Sequence, residues 1–78
     1  MAELPTLTVD ARDMLCAQAL AVVAQAVNAL QPSQALDVMY NTMDVAADLR
    51  VWAASQGHSV HERAHRTLRI LPHREHTR

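Results

Sequence analysis

The hydrophobic pattern at the start of the chain changes from a strand period to a helix period. Residues 6–10, TLTVD, alternate in polarity and are rich in β-branched side chains, which predicts a short strand. A turn is expected at 10–13, and apolar positions then recur at spacings of three and four over 15–30, which predicts a helix. Pro32 cannot continue this helix. The predicted inner stripe consists of Leu20, Val23, Ala24, Val27 and Leu30.

The same change of period follows a second time. Residues 34–41, QALDVMYN, alternate again and predict a second strand, with Leu36, Val38 and Tyr40 on one face. A second helix is predicted from residue 42 onward, capped at its start by Thr42 or Asp44. Gly57, the only glycine, lies where a left-handed residue would close this helix. Its predicted inner stripe consists of Val45, Leu49, Trp52, Ala53 and Gln56.

Two short alternating runs, HSVHERA and TLRILPH, predict a closing hairpin that ends at Pro72. Val60 with Ala64, and Leu68 with Ile70, are expected to face inward. The resulting order, β-α-β-α-β-β, contains a strand–helix–strand unit and therefore a parallel strand pair. We predict an α/β two-layer sandwich, in which two helices cover one face of a four-stranded mixed sheet. The whole chain, 1–78, is expected to form one domain with frayed tails at 1–5 and 73–78.

Composition narrows the class of protein without identifying it. Half of the 78 residues are hydrophobic, which argues against disorder, and the formal net charge of −1 gives no reason to expect a nucleic-acid partner. Residues 14–36 carry no charge, but glutamines and many alanines interrupt the run, so a membrane span is not expected. The first residues lack a secretory pattern, so a cytoplasmic location is predicted. No cofactor is predicted.

Cys16 is the only cysteine, and it lies where the first strand gives way to the first helix. A helix N-terminus can lower a thiol pKa, because free backbone amides, here those of Ala17 and Gln18, and the helix dipole stabilise the thiolate. The carboxylate of Asp13 would act the other way, and Arg12 could offset it. Asp also tolerates left-handed backbone geometry. The alternative interpretation is a small buried apolar residue, since free cysteines are often buried.

Several runs together resemble the TusA/SirA family of small sulfur-carrier proteins. They are VDARDMLC, the long first helix, LQPSQALDV, DLRVWAASQGH and LRILPHR, and they span roughly residues 6–74. The family's Cys-Pro-x-Pro motif corresponds here to Cys16-Ala17-Gln18-Ala19, without either proline. The family's glycine three positions before the cysteine corresponds to Asp13, and the glycine after the proline of the turn corresponds to Ser33.

The resemblance implies a carrier that holds a persulfide sulfur on Cys16. The partners it implies are a sulfur donor of the cysteine desulfurase or rhodanese type and an acceptor protein. The alternative is a diverged, non-catalytic interaction or regulatory module of the same fold. At most, the resemblance implies a sulfurtransferase-type carrier and not a free-standing enzyme.

The outer face of the first helix predicts a contact with a partner protein or a second copy of the chain. It carries no charge, whereas a solvated helix face usually carries Lys, Glu or Arg. Met14 flanks the thiol and would suit a docking partner, whereas Leu15 is expected to be buried. The residues of this predicted face are Gln18, Ala21, Val22, Gln25 and Ala29.

The histidines do not predict a metal site. His61 and His65 are expected on one strand face with Arg63 between them, and an arginine is a poor neighbour for a cation. His73 and His76 lie in the polar tail, and His58 is expected to order the turn after Gly57.

Overall fold

The computed structural model describes residues 6–31 and 34–72. Within them, four strands and two helices follow the predicted order. The elements are β1 (Leu7–Asp10), α1 (Cys16–Asn28), β2 (Leu36–Met39), α2 (Met43–Ser55), β3 (Ser59–Arg63) and β4 (Thr67–Leu71). The predicted tails, 1–5 and 73–78, lie outside the described residues, as do Pro32 and Ser33.

The four described strands form one mixed sheet in the order β1-β2-β4-β3. β1 and β2 run parallel, while β4 pairs antiparallel with both β2 and β3. A parallel pair requires a crossover, and α1 provides it between β1 and β2. This architecture confirms the predicted two-layer α/β sandwich. It also places the starts of α1 and α2 at the same end of the sheet, because each helix follows the carboxyl end of one of the parallel strands.

One face of the sheet forms the hydrophobic core with both helices. Leu36 lies opposite Ile70 and Val38 opposite Leu68, and all four side chains are fully buried. Val23 of α1 packs into the same cluster, as does Leu49 of α2. The predicted inward faces of the second strand and of Leu68 with Ile70 are therefore confirmed.

The other face of the sheet is polar, and a cross-strand ion pair lies on it. Asp37 of β2 stands directly opposite Arg69 of β4. The guanidinium donates from Nε to Oδ1 at 2.8 Å and from Nη2 to Oδ2 at 3.0 Å. Both side chains are partly buried, which makes this two-pronged contact a specific link between the middle strands.

The helices bury a wider arc than the predicted stripes. In α1, Ala19 is fully buried together with Val23, whereas Leu20 and Ala24 are only half-buried. In α2, Ala46 is buried beside Leu49. Each helix packs on the sheet and also on its neighbouring helix, so residues beside the main stripe become buried as well.

Local chemistry sets both ends of α2. The Thr42 hydroxyl accepts a hydrogen bond from the Val45 N–H at 3.3 Å, so Thr42, and not Asp44, is the N-cap. At the other end Gly57 has φ 80°, which confirms its predicted left-handed role. The prediction that Gln56 faces inward is wrong. Gln56 is the exposed C-cap residue, where the chain already leaves the helix.

The β3–β4 turn corrects the predicted hairpin. Arg63 pairs with Thr67, so the three residues between them form the turn. Ala64 is exposed in that turn, and its predicted inward orientation is wrong. His65 has φ 61° and lies in the same turn. The prediction that it shares a strand face with His61 is therefore wrong. The prediction extended the two-residue strand period past the end of β3 at Arg63, which is why both residues were misplaced.

Neither helix in the described part of the chain is long and apolar enough to cross a membrane.

Candidate functional site

Cys16 is the first residue of α1. Leu15 before it has extended geometry (φ −71°, ψ 158°) and makes no side-chain capping bond. The first-turn amides of Ala17 and Gln18 belong to the N–H groups that have no acceptor within a helix. The Cys16 side chain is half-buried and packs against the core, so it is neither fully presented nor fully enclosed.

Two carboxylates from α2 dominate the electrostatics of the thiol. The pKa of Cys16 is raised, first by a side-chain hydrogen bond to Asp48, then by partial burial, and then by the negative charges of Asp48 and Asp44. All of these favour the neutral thiol over the thiolate. The pKa of the thiol is therefore shifted in the direction opposite to the one that a helix N-terminus favours.

Asp44 and Asp48 were missed as site residues in the sequence interpretation. They are four residues apart in a predicted helix, so they share one face of it. The predicted parallel strands also bring the starts of both helices to the same end of the sheet. Together these two signals could have indicated carboxylates near Cys16.

The residues just before Cys16 are engaged elsewhere. Arg12 binds the carboxylate of Asp10, from Nε at 2.9 Å and from Nη2 at 2.8 Å, and this pairing lowers the pKa of Asp10 to about 2. Asp13 has φ 70°, the left-handed geometry that an aspartate tolerates better than most residues. Its side chain and backbone are bonded to Asn41, at the junction between β2 and α2.

The apolar side chains flanking the thiol reverse their expected roles. Leu15 is 78% exposed, so the expectation that it is buried is wrong. Met14 is half-buried and packs against the core. Met43, at the start of α2, lies at the same end of the sheet and is 64% exposed. Leu15 and Met43 are therefore the exposed large apolar side chains at the starts of the two helices.

The predicted partner face lies along the outer side of α1. Ala21 and Gln25 are exposed and Val22 is half-buried. Gln18 and Ala29, at the two ends of this face, are exposed as well. No acidic residue lies in the first turn of the helix and no basic residue lies in its last turn.

The described histidines do not converge. His61 is exposed on β3. The ring centroid of His58 lies 5.6 Å from that of Trp52, and the backbone N–H of His58 donates to the Ala53 carbonyl at 2.9 Å. Within residues 6–31 and 34–72, no three His, Cys, Asp or Glu side chains are grouped as metal ligands would be. His73 and His76 lie outside the described residues.

Comparison of the chain with protein-family models, with curated proteins and with solved structures found no match.

Proposed function

We propose that this protein is a small sulfur carrier that holds a persulfide on Cys16 and passes its sulfur between two partner proteins. The supporting observation is the position of the thiol: half-buried, at the first residue of α1, beside the exposed side chain of Leu15. A thiol at such a junction can be reached by another protein, and the flanking apolar surface gives that protein a contact. The resemblance to the TusA/SirA family supports the same proposal.

The transfer step involves no net oxidation or reduction. The Cys16 sulfur attacks the outer sulfur of a persulfide on the donor protein, and a new S–S bond forms at Cys16. The donor's own S–S bond breaks, and its inner sulfur leaves as a thiolate. The proton of the Cys16 thiol must be lost in this step, and the carboxylate of Asp48, to which the thiol is hydrogen-bonded, can accept it.

A half-buried thiol also suits a persulfide product. An S–S bond adds about 2 Å between the inner and outer sulfur atoms. The outer sulfur of a Cys16 persulfide would therefore lie about 2 Å beyond Sγ of a side chain that is only half-buried.

The second candidate is a non-catalytic interaction module, and the raised pKa of Cys16 favours it. A thiol held neutral by Asp48 is a poor nucleophile in the isolated protein. In this function Cys16 contributes packing and a hydrogen bond, and binding to a partner depends on the surface alone. Replacement of Cys16 by serine would then leave both partner binding and biological activity intact.

The partner surface that we propose is the uncharged outer side of α1. Ala21 and Gln25 are exposed there, and no charged side chain occurs between residues 14 and 36. A donor or acceptor protein, or a second copy of the chain, would pack on this side. Ala21→Glu and Val22→Glu should then weaken partner capture. Unchanged capture by both variants, with a strictly monomeric protein at high concentration, would remove this surface from the proposal.

Sulfur loading tests the proposed function directly. The protein is first reduced, as its thiol would be in the cytoplasm, where we place it, and the reductant is then removed. It is incubated without reductant with a cysteine desulfurase and cysteine, and its intact mass is measured. Wild-type protein should gain one sulfur atom, and Cys16→Ser should gain none. Absence of added sulfur on the wild type, or equal addition to Cys16→Ser, would reject the carrier function and leave the interaction module.

A further inference from the structure

Three residues other than glycine adopt left-handed backbone geometry in the described chain, and all three lie at one end of the sheet. Asp13 has φ 70°, His65 φ 61° and Arg66 φ 54°. Asp13 follows β1, and the other two lie in the three-residue β3–β4 turn. Such conformations are costly for residues with a side chain, so surrounding contacts must hold them in place.

Asn41 makes the contacts that connect these segments. Its side-chain oxygen accepts from the Asp13 N–H at 3.1 Å, and its side-chain nitrogen donates to Asp13 Oδ1, also at 3.1 Å. Its backbone carbonyl accepts from Nη1 of Arg66 at 2.9 Å. A single residue therefore connects the loop before α1, the start of α2 and the β3–β4 turn.

We propose that Asn41 is the positioning residue of Cys16: its amide fixes the loop at 11–15 in the conformation that sets the thiol at the start of α1. The inference rests on the proposed function only in treating Cys16 as the reacting group. The restraint itself is a property of the loop, and it can be measured without a sulfur donor.

The geometry of the loop supports this role. Ala11 is buried, its N–H donates to the Met39 carbonyl at 2.8 Å, and Met14 donates back to the Ala11 carbonyl at 3.2 Å. Asp13 lies between these two anchored residues in a left-handed conformation, and the described bonds of its side chain and N–H are those to Asn41. Loss of the Asn41 amide removes both bonds and frees the loop directly before Cys16.

Asn41 is also connected to α2, the helix that carries the hydrogen-bond partner of the thiol. It directly precedes Thr42, the N-cap of the helix that carries Asp48. The same residue thus holds the loop that leads to Cys16 and the start of the helix that supplies its hydrogen-bond partner. Freeing the loop should move the thiol away from Asp48 and raise its reactivity.

The test is the rate of Cys16 alkylation by iodoacetamide, measured on the full chain across neutral and alkaline pH. Loss of two ordinary hydrogen bonds corresponds to roughly a tenfold change in population, so Asn41→Ala should alkylate about tenfold faster near neutral pH. Its pH profile should also move toward lower pH. Asn28→Ala, at an exposed asparagine in the last position of α1, is the matched control and should behave like wild type.

An exchange of the two side chains separates positioning from general destabilisation. Asn41→Asp alone places two carboxylates against each other and should also alkylate faster. Combining it with Asp13→Asn restores one donor and one carboxylate at unchanged net charge, so the double variant should return toward the wild-type rate and pH profile.

Two results would overturn the proposal. One is an Asn41→Ala profile equal to that of Asn28→Ala. The other is a double variant as reactive as Asn41→Asp, and this second comparison decides the matter if Asn41→Ala does not fold. Sulfur loading of the wild type is a separate measurement, so its failure would reject the carrier function without affecting these rates.

Discussion

The N-cap of α2 offers a prediction whose size follows from the structure. Thr42 Oγ1 accepts from the Val45 N–H at 3.3 Å, in a partly buried position. Replacing a Thr cap by Ala typically costs about 1 kcal/mol, within a range of roughly 0.5–2. A domain of this length is expected to have a stability of roughly 4–12 kcal/mol, so between about a twelfth and a quarter of it would be lost.

Thermal unfolding of Thr42→Ala should show this loss as a melting temperature about 4–8 °C lower, the shift expected per kcal/mol for a domain of this length. Far-UV circular dichroism follows the transition, and the fluorescence of Trp52 on α2 provides a second probe. Thr42→Ser keeps an acceptor at the cap and should stay close to wild type.

Thr42→Gly distinguishes the cap from helix propensity. Gly is tolerated at an N-cap at a cost of only a few tenths of a kcal/mol, although it is much the poorer helix former. Glycine should therefore be less harmful than alanine at this position. A Thr42→Ala protein that melts with wild type, or a Thr42→Gly protein that melts below Thr42→Ala, would refute the capping argument.

The remaining predictions concern the thiol and the ion pair. Asp48→Asn removes the largest cause of the raised Cys16 pKa, so iodoacetamide alkylation should reach a given rate at lower pH than in wild type; an unchanged profile would count against it. Because the folded pKa of Cys16 lies above its unfolded value, the stability from the neutral thiol is present below about pH 9 and is lost as pH rises through the folded pKa. Urea unfolding of Cys16→Ser should show a smaller alkaline loss, and equal losses would contradict this sign. In a double-mutant cycle with Asp37→Asn and Arg69→Gln, the combined loss of stability should be smaller than the sum of the single losses, whereas additive losses would show an uncoupled pair.

Much of the fold could be predicted because local chemistry and periodicity agree along most of the chain. The strand of 34–41 has one buried face in the sequence and in the structure. Thr42 and Gly57 define the ends of α2 through interactions that lie within a few residues of each. In these places neighbouring residues decide the conformation, so a single sequence contains the information.

The errors occur where the predicted inner face was extended past the last residue of a strand or helix. Extending the strand period from Val60 places Ala64 on the inner face, but β3 has already ended at Arg63, which pairs with Thr67. The stripe of α2 continues to Gln56, but the helix has ended there. Periodicity predicts which face is buried, whereas hydrogen-bond pairing determines where that face ends.

The environment of Cys16 was the least predictable part because it depends on contacts distant in sequence. The residues near it in sequence, Arg12 and Asp13, bind other partners, while Asp48, thirty-two positions later, is the largest cause of the raised pKa of the thiol. A helix N-terminus supplies the same favourable dipole in any protein. The acidity of a cysteine placed there is therefore decided by what packs beside it.

The pKa of the Cys16 thiol therefore depends on the tertiary structure. The carboxylate of Asp48 disfavours the charged form of Cys16 only while α1 and α2 lie side by side with their starts at the same end of the sheet. Even a small displacement of one helix start would change the thiol–carboxylate contact. The acidity of Cys16 therefore depends on how the two helix starts pack, and a change in that packing would change the pKa of the thiol.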